Sequence, residues 1–308
     1  MPDNSKPASS YLLFMYRYLY FTGLIFTLGL FACNSGGPAN SGNNVISVSI
    51  LPQEYIVSQI AGDKFSINVL VPEEANHETY EPTAGQMVKT GNSKAYFKLG
   101  YLDFERSWLS KLSESNPGMK VIDTSEGIEM IEEDSHEHGD HMHGGGIDPH
   151  IWLSVSAVKI QADNILKGLT GIDPENSVYY RNNHSRFMVS LDSLDAAIRV
   201  IFDSIPARGF MIYHPSLGYF ARDYNLEQIA IEQEGKEPSP AYMKELIDVA
   251  EAKNINTIFI SSQFNKQSAV VIAGQTGAKV EEFNPLAPDW HNNMLKIAAQ
   301  LAASTQTK

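Results

Sequence analysis

This 308-residue chain contains a single cysteine, Cys33. One thiol excludes an internal disulfide and any cysteine-built metal site. Basic residues are also scarce: 23 Lys and Arg stand against 36 Asp and Glu, a net charge of −13. An acidic chain is poorly suited to a phosphate backbone, so nucleic acid is excluded as a partner class. Long apolar runs are absent apart from Tyr18–Ala32. That run falls short of the roughly 20 residues needed to span a bilayer as a helix. Glycine and proline are missing between Glu175 and Ser204, which removes every strong helix breaker from that stretch.

What is present in concentration is histidine. His136, His138, His141 and His143 fall within SHEHGDHMHGGG, among acidic residues and glycines. Such a tract has almost no apolar surface to bury and cannot build a core. Neutral imidazole is the commonest metal ligand, and carboxylates add charge and further ligands. The tract is expected to be a flexible metal-capturing loop, with a merely solubilising linker as the plainer alternative. Asp148-Pro149-His150 follows closely, at the start of a more structured segment.

The N-terminal run behind Arg17 suits the apolar core of a signal peptide. Leu30-Phe31-Ala32-Cys33 is similar to a bacterial lipobox, whose cysteine is lipidated after cleavage; Phe31 is unusual there. Met15 is an alternative start, since MYR makes a more ordinary basic region before the run. NSGGPANSGNN then reads as a flexible tether. Together these predict a domain held by a lipid at a membrane surface outside the cytoplasm.

From Val45 onward the chain alternates strand-like and helix-like segments. Strands are expected at 45–51, 65–71, 94–99, 119–123, 209–213, 227–232, 257–261 and 279–283. Helices are expected at 53–61, 83–90 (capped by Thr83), 104–114, 154–169, 217–224, 240–253, 265–276 (closed by Gly277) and 290–304. Between the two series, Asp173 to about Ser204 reads as one long helix, with Pro174 at its first position and apolar residues at helical spacing. The expected fold is α/β: two βα domains with parallel four-stranded sheets, joined by one long rigid helix. The expected organisation is a signal peptide at 1–32, a tether at 33–44, a first domain at 45–172 with the histidine loop at 132–146, the linking helix at 173–206, and a second domain at 207–308.

Three histidines sit where such sheets bind ligands, beyond strand carboxyl ends or at helix starts. They are His77 in NHETYEPT, His150 in DPHIW and His214 in YHPSLGYFARDY. Converging in a cleft, three imidazoles match zinc, which takes nitrogen ligands in tetrahedral geometry. Each has a plainer reading alone: a solvated loop residue for His77, a helix cap for His150, a backbone-bonded core residue for His214. His184 and His291 lack this setting and read as surface residues. Three His plus a water is also the arrangement of a zinc hydrolase, which would need a general base. Glu78 and Glu234 are conceivable, but neither lies in a helical H-E-x-x-H pattern. A surface adhesin on the same scaffold is a third class.

The segments NHETYEPT, DPHIWL, YHPSLGYFARDYNL, GKEPSP and NPLAPDW, in this order, resemble the zinc-binding proteins of bacterial ABC uptake systems. The resemblance runs from about Val45 to the C-terminus. It implies a non-enzymatic extracytoplasmic lipoprotein, a monomer that delivers Zn2+ to a membrane permease. It places the primary metal ligands at His77, His150 and His214, with the loop histidines as an auxiliary capture site. One departure stands out. Asn284 in FNPLAPDW occupies a position where the family often has Asp, which can be the fourth ligand. A neutral amide is a weaker ligand, which leaves Glu78 or a water as other candidates for the fourth position. Manganese members use a second carboxylate to suit a harder ion, so its loss favours zinc over manganese or iron.

Overall fold

The computed structural model describes residues 44–132, 146–203, 205, 209–233, 235–264 and 266–305. Cys33, Glu234, His136, His138, His141 and His143 lie outside the described residues, as do the expected signal peptide and tether.

The first half runs β1 (Val45–Val48), α1 (Leu51–Ala61), β2 (Ser66–Val69), α2 (Ala84–Gly91), β3 (Ala95–Lys98), α3 (Asp103–Ser115), β4 (Lys120–Asp123), a 3-10 turn (Ile151–Leu153) and α4 (Val155–Ile172). After a second 3-10 turn (Pro174–Asn176) comes the long helix α5 (Ser177–Asp203). The second half runs β5 (Gly209–Ile212), α6 (Gly218–Asp223), β6 (Glu227–Ala230), α7 (Pro240–Ala252), β7 (Thr257–Ser261), α8 (Gln267–Thr276), β8 (Lys279–Phe283) and α9 (Trp290–Ser304).

Each half carries one parallel four-stranded sheet, ordered β2-β1-β3-β4 and β6-β5-β7-β8. In both, the chain steps outward from its first strand and then crosses back over it. That reversal opens a crevice beyond the carboxyl ends of β1 and β3, and of β5 and β7. The two-sheet α/β architecture with a long joining helix is the expected one.

Several strands end earlier than expected. The run 45–51 reads as continuous strand, yet β1 stops at Val48 and α1 starts at Leu51, with Pro52 in its first turn. Proline has no N–H to give a ladder and is at home where helix N–H groups are unpaired anyway. The long helix also starts later than Asp173. The Asp173 carboxylate does not cap the backbone; Oδ2 accepts from Asn176 Nδ2 and the Tyr180 hydroxyl, and the first turn tightens to 3-10. The 27 residues that follow reach about 40 Å at 1.5 Å each. Thr83 caps α2 in a reciprocal capping box with Gln86, and Gly277 closes α8 in the left-handed conformation.

The joining helix is supported along its length. Tyr180, Asn183, Phe187, Leu191, Leu194, Ile198 and Phe202 form its buried stripe, packed on α1, α4 and α9. The main core passes from the first sheet through this stripe to α9 and the inner face of the second sheet. A smaller core, with Met211, Ile231, Leu246, Ile258 and Ile272, lies under α7 and α8. Burying each large apolar side chain contributes about 1.5–3 kcal/mol, so the halves share much of one core. Two tryptophans bolt them together: the Trp152 indole donates to Pro285 O at 2.8 Å, and the Trp290 indole donates to Trp152 O at 2.6 Å.

Candidate metal centre

His77 lies in the segment that leaves β2. Asn76 Oδ1 accepts from the backbone N–H of Glu78 at 2.9 Å and of Thr79 at 3.4 Å, a local turn that sets His77 and Glu78 side by side. The His77 ring is wholly buried. It stands edge-on to Trp152 at 5.3 Å and to Phe264 at 6.4 Å. Its Nδ1 has no hydrogen-bond partner.

His150 opens the 3-10 turn before α4. Asp148 Oδ1 accepts from both the His150 backbone N–H at 2.9 Å and the ring Nδ1–H at 2.7 Å. Asp148 is itself buried. His214 lies two residues beyond β5, stacked on Phe264 with centroids 4.1 Å apart and planes 11° apart. Its Nδ1 lies 3.1 Å from Glu232 Oε1.

The free edges of the three rings meet. His77 Nε2 and His150 Nε2 are 2.9 Å apart, His214 Nε2 and His150 Nε2 are 3.3 Å apart, and Glu78 Oε1 lies 3.1 Å from His214 Nε2. One ligand atom from each of His77, Glu78, His150 and His214 lies within 4.8 Å of the others. Donors around a tetrahedral zinc at about 2.0–2.1 Å sit about 3.3 Å from one another. The three contacts just given are near that spacing, and the four donor atoms together lie within 4.8 Å of one another.

The local electrostatics differ from ring to ring. Burial drives the His77 pKa well below the usual imidazole range, helped by the neighbouring His150. Burial also opposes charge on His214, but hydrogen bonds to Glu232 and Glu78 outweigh it and push its pKa up to about 9. Burial likewise opposes charge on Glu78, yet the hydrogen bond to His214 and the surrounding imidazoles hold its pKa down to about 2. Without a metal, a proton on His214 balances the carboxylates facing it. A cation arriving at the same point replaces that proton.

Asn284 is occupied otherwise. Its Oδ1 accepts from Leu286 N at 2.9 Å and from Gln263 Nε2 at 3.3 Å, which shapes the loop after β8. His184 is less exposed than a surface residue and pairs with Asp163 at 2.8 Å; His291 is half-buried in the first turn of α9. Among the described residues, neither belongs to the His77 cluster. The histidine-rich segment itself is not described, but its ends are. Glu132 and Ile147 form an antiparallel bridge, and Asp148 N donates to Ile131 O at 3.0 Å. The segment thus leaves and returns at one point, beside Asp148 and His150.

Asp148 and Glu232 were not singled out by residue type and spacing. A signal for Glu232 existed in the register. Ile212 pairs with Ala230 across β5 and β6, so a residue two beyond Ala230 lies level with His214, two beyond Ile212. For Asp148, the clue was an acidic side chain two residues before a histidine at a helix start.

The family described as "ZnuA: Zinc-uptake complex component A periplasmic" matches residues 46–304. "High-affinity zinc uptake system protein ZnuA" of Bacillus subtilis (strain 168) is 27% identical over 262 residues, 81% of each chain. "Manganese ABC transporter substrate-binding lipoprotein PsaA" of Streptococcus pneumoniae is 28% identical over 264 residues, 80% of this chain and 81% of that one. A solved structure titled "Crystal structure of ZnuA" is 41% identical with a TM-score of 0.79, covering 85% of this chain and 99% of that one.

Proposed function

The chain belongs to the family of periplasmic zinc-uptake complex component A proteins, and on that premise we propose that it captures Zn2+ in the cleft between its halves and delivers it to an ABC permease. The family comprises solute-binding proteins of ABC transporters, not enzymes. The observation that carries the reading is the convergence of His77, His150 and His214 through Nε2, with Glu78 Oε1 as the fourth donor. Three imidazole nitrogens and one carboxylate suit zinc; a harder ion such as manganese favours more oxygen.

In this reading the ion displaces the proton of His214 and frees Glu78 from it to complete the tetrahedron. His77 and His150 come from the first half and His214 from the second, so the ion ties the halves together. The shared core and the paired tryptophans support a small closure rather than a wide hinge. The loop histidines His136, His138, His141 and His143 raise the local zinc concentration through weak, multivalent contacts. Their point of departure beside Asp148 supports this role. The protein acts outside the cytoplasm as a monomer, anchored by a lipid on Cys33, with residues 1–32 removed. Among the described residues no helix is long and apolar enough to cross a membrane.

Isothermal titration of the metal-free protein with zinc and with manganese tests the assignment, beside a His77→Ala, His150→Ala, His214→Ala triple variant. One tight zinc site, lost in the variant, with manganese much weaker, is the expected result. A tight site surviving the variant, or a preference for manganese, overturns it. Deleting Glu132–Gly146 should remove only additional weak zinc sites.

A further inference from the structure

The turn that supplies His214 also reaches across the cleft to the segment that supplies His150. Ser216 N donates to His214 O at 2.8 Å, and Leu217 N donates to Gln228 Oε1 at 2.8 Å. These bonds fold residues 214–217 back onto β6 and lead into α6, which packs on the 3-10 turn Ile151–Leu153 of the other half. There Gly218 faces Asp148. A Cβ added at Gly218 would lie 2.8 Å from Asp148 Oδ2, closer than real Cβ contacts come. The next residue, Tyr219, is fully buried; its hydroxyl donates to Asp148 O at 2.7 Å and accepts from Ile131 N at 3.1 Å. The Asp148 backbone and one face of its carboxylate are therefore fixed from the opposite half.

We propose that Gly218 and Tyr219 are positioning residues for the metal centre, holding the Asp148 carboxylate and through it the His150 ring from across the cleft. This rests on the zinc-site reading above. The physical chain is short. Asp148 Oδ1 takes the Nδ1–H of His150, which leaves Nε2 with a bare lone pair aimed at the cluster. Asp148 can do so only while its other oxygen keeps its place against Gly218. A side chain at Gly218 displaces that oxygen, rotates the carboxylate and loosens the ring. One segment, 214–219, thus provides one candidate ligand directly and orients a second from a distance. Metal affinity then depends on how α6 seats on the 147–150 turn, two elements that belong to different halves.

The test compares Gly218→Ala, Tyr219→Phe and Asp148→Asn with the parent protein. Zinc affinity is read by competition with a chelator, melting of the metal-free protein by calorimetry, and the His150 and His214 ring protons by NMR. Groups that hydrogen-bond a metal-bound histidine are typically worth 10–100-fold in affinity. Gly218→Ala and Asp148→Asn are expected to weaken zinc binding by about that factor. Their double variant should be no weaker than the worse single, because both act through one carboxylate. The His150 Nδ1–H resonance should move while that of His214 stays. Tyr219→Phe, which removes only the hydroxyl and keeps the packing, should weaken binding less, in the same direction. Unchanged zinc affinity in both Gly218→Ala and Tyr219→Phe would sink the inference and leave the zinc site standing. So would additive losses that simply follow the melting temperature, with no selective change at His150. A parent protein that binds no zinc would instead remove the zinc-site reading on which the inference rests.

Discussion

His77 and His150 bring their Nε2 atoms to within 2.9 Å of each other by opposite means. The His77 segment uses walls: a buried ring set edge-on to Trp152 and Phe264, with an unpartnered Nδ1. The His150 segment uses hydrogen bonds: Asp148 Oδ1 holds both its backbone and its ring. Walls fix where a ring lies but not which nitrogen carries the proton. A carboxylate fixes both. His214 combines the two, stacked on Phe264 and paired with Glu232. The candidate centre therefore grades from packing to charge across three chemically identical side chains.

The sharpest way to break this comparison is to remove a ring. His214→Ala should abolish tight zinc binding outright, because among the described residues it is the one histidine of the cluster that the second half supplies. A titration showing near-parental affinity in that variant would contradict the site. Removing a wall comes next. Trp152→Ala leaves a cavity beside His77 and removes the indole link to Pro285 O, while the carbonyl of residue 152 still offers its oxygen to Trp290. It should cost about 3–5 kcal/mol of stability in chemical denaturation, and affinity should fall with it.

Smaller effects sharpen the charge side. Glu232→Gln keeps the shape but removes the carboxylate facing His214 Nδ1, and should weaken zinc about 10–100-fold with little change in melting. A melting loss as large as that of Trp152→Ala would show Glu232 to be structural. The mildest test is pH. The His214 pKa is raised to about 9, so metal must expel a proton throughout the neutral range. Zinc affinity should rise with pH, up to about tenfold per unit for one proton, and level off near pH 9. Stability of the metal-free protein has the opposite slope. The raised His214 pKa contributes stability fully present below the ordinary imidazole value, and lost as pH rises through about 9. Flat binding between pH 6.5 and 8.5 would contradict the assigned proton.

The three histidines were legible because each occupies a position type, beyond a strand's carboxyl end or at a helix start, that parallel sheets assign to ligands. The alternation of elements and the long joining helix were legible from periodicity and from the missing glycine and proline. The end of β1 was less so, because Ile50 and Leu51 continue an apolar run across the strand-to-helix boundary; Pro52 was the better guide. Glu232 was hidden because its role depends on pairing between β5 and β6, which a single strand's composition does not specify. The Trp152–Trp290 link was hidden for the same reason: it joins residues 138 positions apart through main-chain oxygen, which any residue could provide.

That link has an optical consequence. Trp152 lies 5.0 Å from His150 and 5.3 Å from His77, ring to ring, while Trp290 hydrogen-bonds to Trp152 O. The remaining tryptophan, Trp108, packs instead with Phe104 and Tyr96. One of the three indoles therefore lies directly against the candidate metal centre, and a second is tied to it through a main-chain hydrogen bond. An imidazole is a better quencher when charged, and a bound dication alters the field across the Trp152 ring. Loading should change the intrinsic emission without any label, and Trp152→Phe should silence most of that signal. The chain would then report its own occupancy in real time during handover to the permease.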